Sequence, residues 1–287
     1  MAVTPYTGRR IALATMHRKE AVIAPPMRRV LGVELVVPAG LDTDALGTFS
    51  GEIPRQGTMG DVAVAKARMG MLAAGVGMGL ASEGSYGPHP EIPVIAVGRE
   101  LLVLVDDERG IVVFESLIDD APRFAHVTAS PGADITSFLA ASGFPEHAMI
   151  VGPNEPATDG PFVKGIRDAP RLYEAISGAA GSSRDGLALV QTDMRAHMNP
   201  TRNAALGRLA DRLAVRLTQR CPACGTPGFG IVDVEIGLPC RECGGPSVLM
   251  LGEIHGCACT ECAHREHYPR PDRLEYATPA DCPYCNP

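Results

Sequence analysis

Nine cysteines, all beyond residue 220, constrain this chain more than any other feature. Eight group into four C-x-x-C pairs: Cys221/Cys224, Cys240/Cys243, Cys259/Cys262 and Cys282/Cys285, with Cys257 left over. A secreted protein built on disulfides has no reason to confine its cysteines to one end, nor to repeat a two-residue gap. Paired thiolates at this spacing in a reducing compartment read as metal ligands. Each pair is a knuckle whose tight turn aims both sulfurs at one point. Two knuckles make a tetrahedral, coordinatively closed zinc site with no catalytic position. Taken in chain order, the first two knuckles form one zinc ribbon and the last two a second structural zinc site. Two alternatives stay open: the knuckles interleave, the first joining the third, or Cys257 and Cys259 shift the register.

Residues 221–287 are rich in Cys, Pro and Gly and poor in long apolar runs. A segment of that size commonly needs a metal to hold its fold. Residues 228–237 alternate as an arm of a hairpin. From Arg208 onward there are eight basic and ten acidic residues, which fits protein docking or self-association better than a nucleic-acid clamp. His255, His264 and His267 read as surface histidines.

Residues 1–220 alternate strand-like and helix-like patterns, and the expected fold class is α/β: a mixed central sheet flanked by helices. Short apolar runs at 10–15, 33–37, 77–82, 93–97, 101–105, 111–114, 147–151 and 187–191 read as strands. Helical stretches lie at 19–31 (interrupted by Pro25 and Pro26), 61–74, 134–141, 169–180 and 201–219. Two domains follow, 1–220 and 221–287. A net charge of −7, from 26 basic and 33 acidic residues, argues against nucleic-acid binding. No apolar run approaches the ~20 residues of a membrane span. The first ten residues hold no apolar signal core, so the expected location is cytoplasmic.

Polar residues cluster where strands end. Thr15, His17, Arg18 and Lys19 sit where the first strand gives way to a helix, a turn that offers free N–H groups and positive charge to an anion. Thr58, Asp61 and Lys66 open the next long helix, placing a carboxylate for a metal and an amine for a phosphate. Glu83 and His89 lie in a Gly/Ser/Pro segment after another strand, a candidate metal site. Asp193, Arg195, His197, Asn199 and Arg202 crowd the turn before the best helix, more polar groups than capping alone requires.

Over nearly the full length, the segments ATMHRKE, FSGEIPRQGT, ASEGSYGPHP, TDMRAHMNPTR, CPACGTPGFGIVDV and CPYCNP resemble an uncharacterised bacterial family, a domain of unknown function with no activity to transfer. The N-terminal motifs also resemble, distantly, the inosine/xanthosine triphosphatase and Maf-like pyrophosphatases. That group has A-T-x-N, then G-T-x-x-E-N-A-x-x-K-A, then an acidic strand end before glycine, then S-H-R-G-x-A-L. Ala14 to His17, Gly57 to Ala67, Ser82 to Gly84 and Pro200 to Leu206 stand at the matching places. His17 replaces the asparagine, and Pro-Thr-Arg replaces Ser-His-Arg.

The resemblance implies an Mg²⁺-dependent hydrolase of a nucleotide or related phosphorylated compound. Asp61 and Glu83 would hold the magnesium. Lys66, Arg18, Lys19 and Arg202 would neutralise phosphate, and Thr15 would bind a terminal phosphate. Asp193 or His197 would orient the water. Thr58, His17, His89 and Arg195 complete the candidate ligand-binding set. The competing expectation is a ligand-sensing or regulatory protein that binds the same ligand without turnover and docks a partner through its zinc ribbon.

Overall fold

In the computed structural model, which describes residues 4–46, 57–88, 96–156 and 162–287, the chain enters on strand β1 (Arg10–Ala14). It then forms helix α1 (Glu20–Leu31), strand β2 (Glu34–Val36), helix α2 (Met59–Ala74), and strands β3 (Met78–Pro88), β4 (Ala96–Asp106) and β5 (Ile111–Asp119). These make one mixed sheet in the order β2-β1-β3-β4-β5. The first three strands are parallel and the last two antiparallel. The period-2 alternation of a strand divides the core. Ile11, Leu13, Leu80, Leu102 and Leu104 face α1 and the later helix α5 (Pro200–Arg216). Ala14, Ala81, Val103 and Val105 face α2.

Small residues let α2 lie close: a Cβ on Gly79 would come within 2.6 Å of the Ala67 carbonyl. The expected break at Pro25 and Pro26 does not occur; both lie inside α1. Burial of Ile23, Met27 and Leu31 holds the helix across the hydrogen bonds that proline cannot donate. The expected strand at 93–97 starts outside the described residues.

Between β5 and α5 the chain builds a second sheet, β6-β9-β7-β8, entirely antiparallel. Its strands are β6 (His126–Ala129), β7 (Met149–Pro153), β8 (Val163–Ile166) and β9 (Ala188–Thr192), accompanied by α3 (Thr136–Ser142) and α4 (Ala169–Gly181). It has a core of its own around Met149, Val151, Ile166, Leu172, Ile176 and Val190. Residues 1–220 thus carry two sheets with separate apolar cores. β6 and β8 are four-residue strands, too short for alternation to announce them.

The C-terminal module is a third sheet, β10 (Gly230–Ile236), β11 (Met250–Gly256) and β12 (Arg265–Pro269), antiparallel throughout. The chain is therefore α/β, with a mixed sheet flanked by helices and a cysteine-rich module at its end. Among the described residues, no helix is long and apolar enough to cross a membrane.

Candidate functional site

The cysteines form two groups, each with its sulfur atoms all within 4.8 Å of one another: Cys221, Cys224, Cys257 and Cys262, and Cys240, Cys243, Cys282 and Cys285. Measured sulfur separations are 3.8 Å for Cys221–Cys262, 3.4 Å for Cys224–Cys257, 3.9 Å for Cys240–Cys285 and 3.6 Å for Cys243–Cys282. A tetrahedron with bonds of about 2.3 Å to its metal has edges of roughly 3.8 Å, so these thiols already stand where four ligands of one ion would stand.

The chain-order pairing is corrected: the groups interleave, the first knuckle with the third and the second with the fourth. Cys259 is corrected as well. Cys257 takes its place, and the Cys259 backbone N–H donates to the Cys257 sulfur at 3.3 Å.

Strand direction explains the interleaving. Cys221/Cys224 precede β10 and Cys240/Cys243 follow it, so seven residues of strand separate them by about 20 Å. The antiparallel turn-back of β11 brings Cys257 and Cys262 to the first end. The exit of β12 leaves Cys282 and Cys285 at the second. One group of thiols sits at each end of the sheet.

The polar candidates gather around a different feature. β3 outruns β1: the two pair only over Ala12–Ala14 and Gly79–Ala81. Beyond the end of β1, Lys19 reaches back to β3, its Nζ donating to Ser82 Oγ at 2.9 Å and Ser82 O at 3.3 Å. On the α2 side, Lys66 Nζ pairs with Glu83 Oε1 at 2.5 Å. On the α5 side, Arg202 Nε pairs with Glu100 Oε1 at 2.6 Å, and Tyr86 OH donates to the same oxygen at 2.7 Å. Arg202 also donates to the Met194 carbonyl.

Lys19, Lys66, Ser82, Glu83, Glu100 and Arg202 are all buried. Burial, with Arg202 beside it, pulls the Lys19 ammonium down to about 8 against the opposing pull of Glu100 and Glu83. Thr15 lies at the same strand end, buried, its Oγ1 accepting from the His17 backbone N–H at 3.2 Å. The loop before α5 closes over this end. Asn199 caps α5 by accepting from the Arg202 N–H at 3.0 Å, and the His197 ring stacks on His17 with centroids 5.4 Å apart.

The remaining candidates are placed otherwise. Asp61 and Thr58 form a reciprocal capping box at the start of α2: Thr58 N donates to Asp61 Oδ2 at 3.0 Å, and Asp61 N to Thr58 Oγ1 at 3.2 Å. The Thr58 hydroxyl, donating to Asp61 Oδ2 at 2.6 Å, and then the Thr58 N–H hold the exposed Asp61 carboxyl below its ordinary range. Five positions separate Asp61 from Lys66, about 140° around a helix, so one is exposed and the other buried. Asp193 is fully buried with its carboxylate clasped by Arg195, Nε to Oδ1 at 3.0 Å and Nη2 to Oδ2 at 2.5 Å. His89 lies outside the described residues. Among the described residues, the two cysteine groups are the only sets of three or more metal-ligating side chains close enough to share an ion.

Ser82, Tyr86 and Glu100 escape sequence reasoning. The one signal was Glu100, a charge leading straight into the aliphatic run Leu101 to Val105.

The family model that matches this chain, over residues 66–287, describes DUF6671, a domain of unknown function. The chain belongs to the DUF6671 family. The DUF6671 match takes in Lys66, Glu83, Glu100, Asp193, Arg202 and both cysteine groups, while Thr15 to Lys19 precede it. A comparison with curated proteins gives no match.

Proposed function

We propose that this protein binds a phosphorylated small molecule, a nucleotide or a relative of one, at the carboxyl ends of β1 and β3, and that two zinc ions hold its C-terminal module. The burial of Lys19, Lys66 and Arg202 at one strand end carries the first part. Burying a charge is costly unless it is paired. Lys66 and Arg202 have carboxylate partners, whereas the bonds of Lys19 run to the neutral Ser82. Among the described residues the carboxylates of Glu100 and Glu83 act on Lys19 without bonding to it, and an incoming phosphate would supply a direct anionic partner. The distant resemblance to nucleotide pyrophosphatases points the same way.

Of the two functional readings, the geometry favours binding without turnover. Hydrolysis on the expected plan needs Asp61 and Glu83 on one magnesium ion. Asp61 serves its helix and Glu83 is held by Lys66. The exposed apolar side chains of the outer strand β10, Val232, Val234 and Ile236, support the partner-docking role of the ribbon. Four-thiolate donor sets suit zinc, and closed tetrahedral sites of this kind are structural.

The test is calorimetric titration of nucleotides and sugar phosphates, each with and without Mg²⁺, into wild type and Lys19→Met, with product assayed in parallel. Binding that Lys19→Met abolishes, with no product formed, is the expected result. Absence of binding across the panel overturns the ligand reading, and Mg²⁺-dependent turnover restores the hydrolase.

A further inference from the structure

Helix α5 carries Arg202 in its first turn and residues of a different kind at its far end. Arg212, Val215 and Arg216 lie three or four positions apart on one helix face, about 15 Å along the axis from Arg202. With Gln219 just beyond, they form one wall of a cleft of about 610 Å³. The C-terminal sheet forms the other. Ile231 of β10 pairs with His255 of β11. The His255 ring packs against Tyr268 of β12 with centroids 4.2 Å apart, and Phe229, just ahead of β10, leans on His255 with centroids 6.1 Å apart. Tyr268 OH donates to Glu266 Oε2 at 2.6 Å, and His255 Nε2 meets Glu253 Oε2 at 2.9 Å. Those bonds engage the polar edges of the rings, and the cleft lining is mostly carbon. Small-molecule sites have this character: roughly 300–1,000 Å³, apolar and aromatic walls, and a few polar groups that fix orientation.

The charges at the rim do not cancel. Asp211 is answered by Arg29 of α1. Arg212 Nη2 and Arg216 Nη1 share one carboxylate, Glu115, at 2.8 and 3.3 Å. Two guanidiniums thus stand against one carboxylate. Arg216 is further committed, Nη1 donating to the Phe114 carbonyl at 2.8 Å and Nε to the Gly228 carbonyl at 3.0 Å. Its side chain is 12% exposed, and that of Arg212 is 48% exposed. A guanidinium has five N–H donors, more than one carboxylate oxygen occupies, so Arg212 is the cation placed to meet an anion entering from solvent.

We propose that the cleft between α5 and the C-terminal sheet is a second ligand site. It takes a planar aromatic molecule bearing a single anionic group, with its ring against Phe229, His255 and Tyr268 and its anion at Arg212. An offset or edge-on ring contact supplies the apolar part of the binding, and the excess guanidinium selects the charge. The site stands independently of the strand-end phosphate reading.

The probe is 2-naphthoate, a two-ring aromatic carboxylate, with 2-naphthamide as the same ring system without the charge. The chain holds no tryptophan, so the anisotropy of naphthalene emission reads binding over little protein background. Wild type is expected to bind one naphthoate per chain, roughly tenfold more tightly than the amide, about the worth of one charge-assisted hydrogen bond. Arg212→Gln is expected to erase that preference and keep amide binding. Val215 is exposed on the helix wall, so Val215→Glu is expected to stay folded by its melting curve, crowd the cleft and abolish binding of both. Leu72 is exposed on α2, and Leu72→Glu is expected to bind as wild type does. Excess inorganic phosphate is expected to leave naphthoate bound. Absence of naphthoate binding at millimolar concentration overturns the site, as does an Arg212→Gln variant that keeps the preference or a Leu72→Glu variant that loses as much as Val215→Glu. Displacement by phosphate would put the anion at the strand end and overturn the cleft while supporting the phosphate reading.

Discussion

Lys66 on α2 and Glu83 on β3 close on each other at 2.5 Å with side chains less than a tenth exposed, so each neutralises the other where water cannot. Removing one partner leaves a buried charge uncompensated, a loss of about 3–5 kcal/mol. Glu83→Gln is therefore expected to lower the melting temperature equally with and without Mg²⁺, and Glu83→Gln/Lys66→Met to recover much of it. Melting curves of the three proteins check this. Loss of stability confined to Mg²⁺-containing buffer would instead make Glu83 a metal ligand.

Metal content separates Cys257 from Cys259. Wild type purified without chelator is expected to carry about two zinc ions per chain, Cys259→Ser about two and Cys257→Ser about one, by elemental analysis. The reverse order between the two variants would restore the C-x-x-C reading of the third knuckle.

Lys19 has a pH signature with a definite sign. Its ammonium titrates near 8 in the fold, against the usual 10.5. Below pH 8 both states are protonated and the fold bears the cost of a charged buried amine. Between about 8 and 10.5 the unfolded chain holds the proton that the fold has shed, so stability from this group rises with pH. Lys19→Met is expected to melt higher than wild type at pH 7, with the gap narrowing as pH climbs toward 10, while losing phosphate affinity. A gap that is constant with pH would show that burial does not depress this amine.

Gly84 tests the packing of the Arg202–Glu100 pair. A Cβ there would sit 2.6 Å from both Arg202 Nη2 and Glu100 Oε1, whereas one on Gly87 meets nothing within 4 Å among the described residues. Gly84→Ala is expected to cost about 1–3 kcal/mol, the usual range for overpacking, and Gly87→Ala far less. Urea midpoints of the two variants measure the difference.

How much of this was legible depended on whether a feature was local. The α/β alternation was, because Ile11 and Leu13 advertise a buried strand by themselves. The cysteine module was legible as a metal binder for the same reason, three of the four knuckles being complete within four residues. Which knuckles share an ion was not, since that depends on which end of β10 each occupies. Thr15, Lys19, Lys66, Glu83 and Arg202 were picked out singly and do converge on one strand end. Glu100 stood out only as a charge before an aliphatic run, and its role stayed hidden because its partner, Arg202, lies 102 positions away. Asp61 misled in the opposite sense: Thr58-x-x-Asp61 is a capping box, and local backbone chemistry accounts for that carboxylate.

The interleaved cysteines tie two overlapping loops, Cys221 to Cys262 and Cys240 to Cys285, which share the stretch from Cys240 to Cys262. Neither loop can be excised with its ligands intact without cutting into the other. The first ion to bind draws together the ends of a long flexible loop and bears most of that entropy. It also aligns β10 with β11, so the second ion meets ligands already partly gathered. With both groups filled as proposed, such a module is expected to load its two ions cooperatively, passing from empty to full over a narrow range of free metal, a zinc titration followed by circular dichroism being the check.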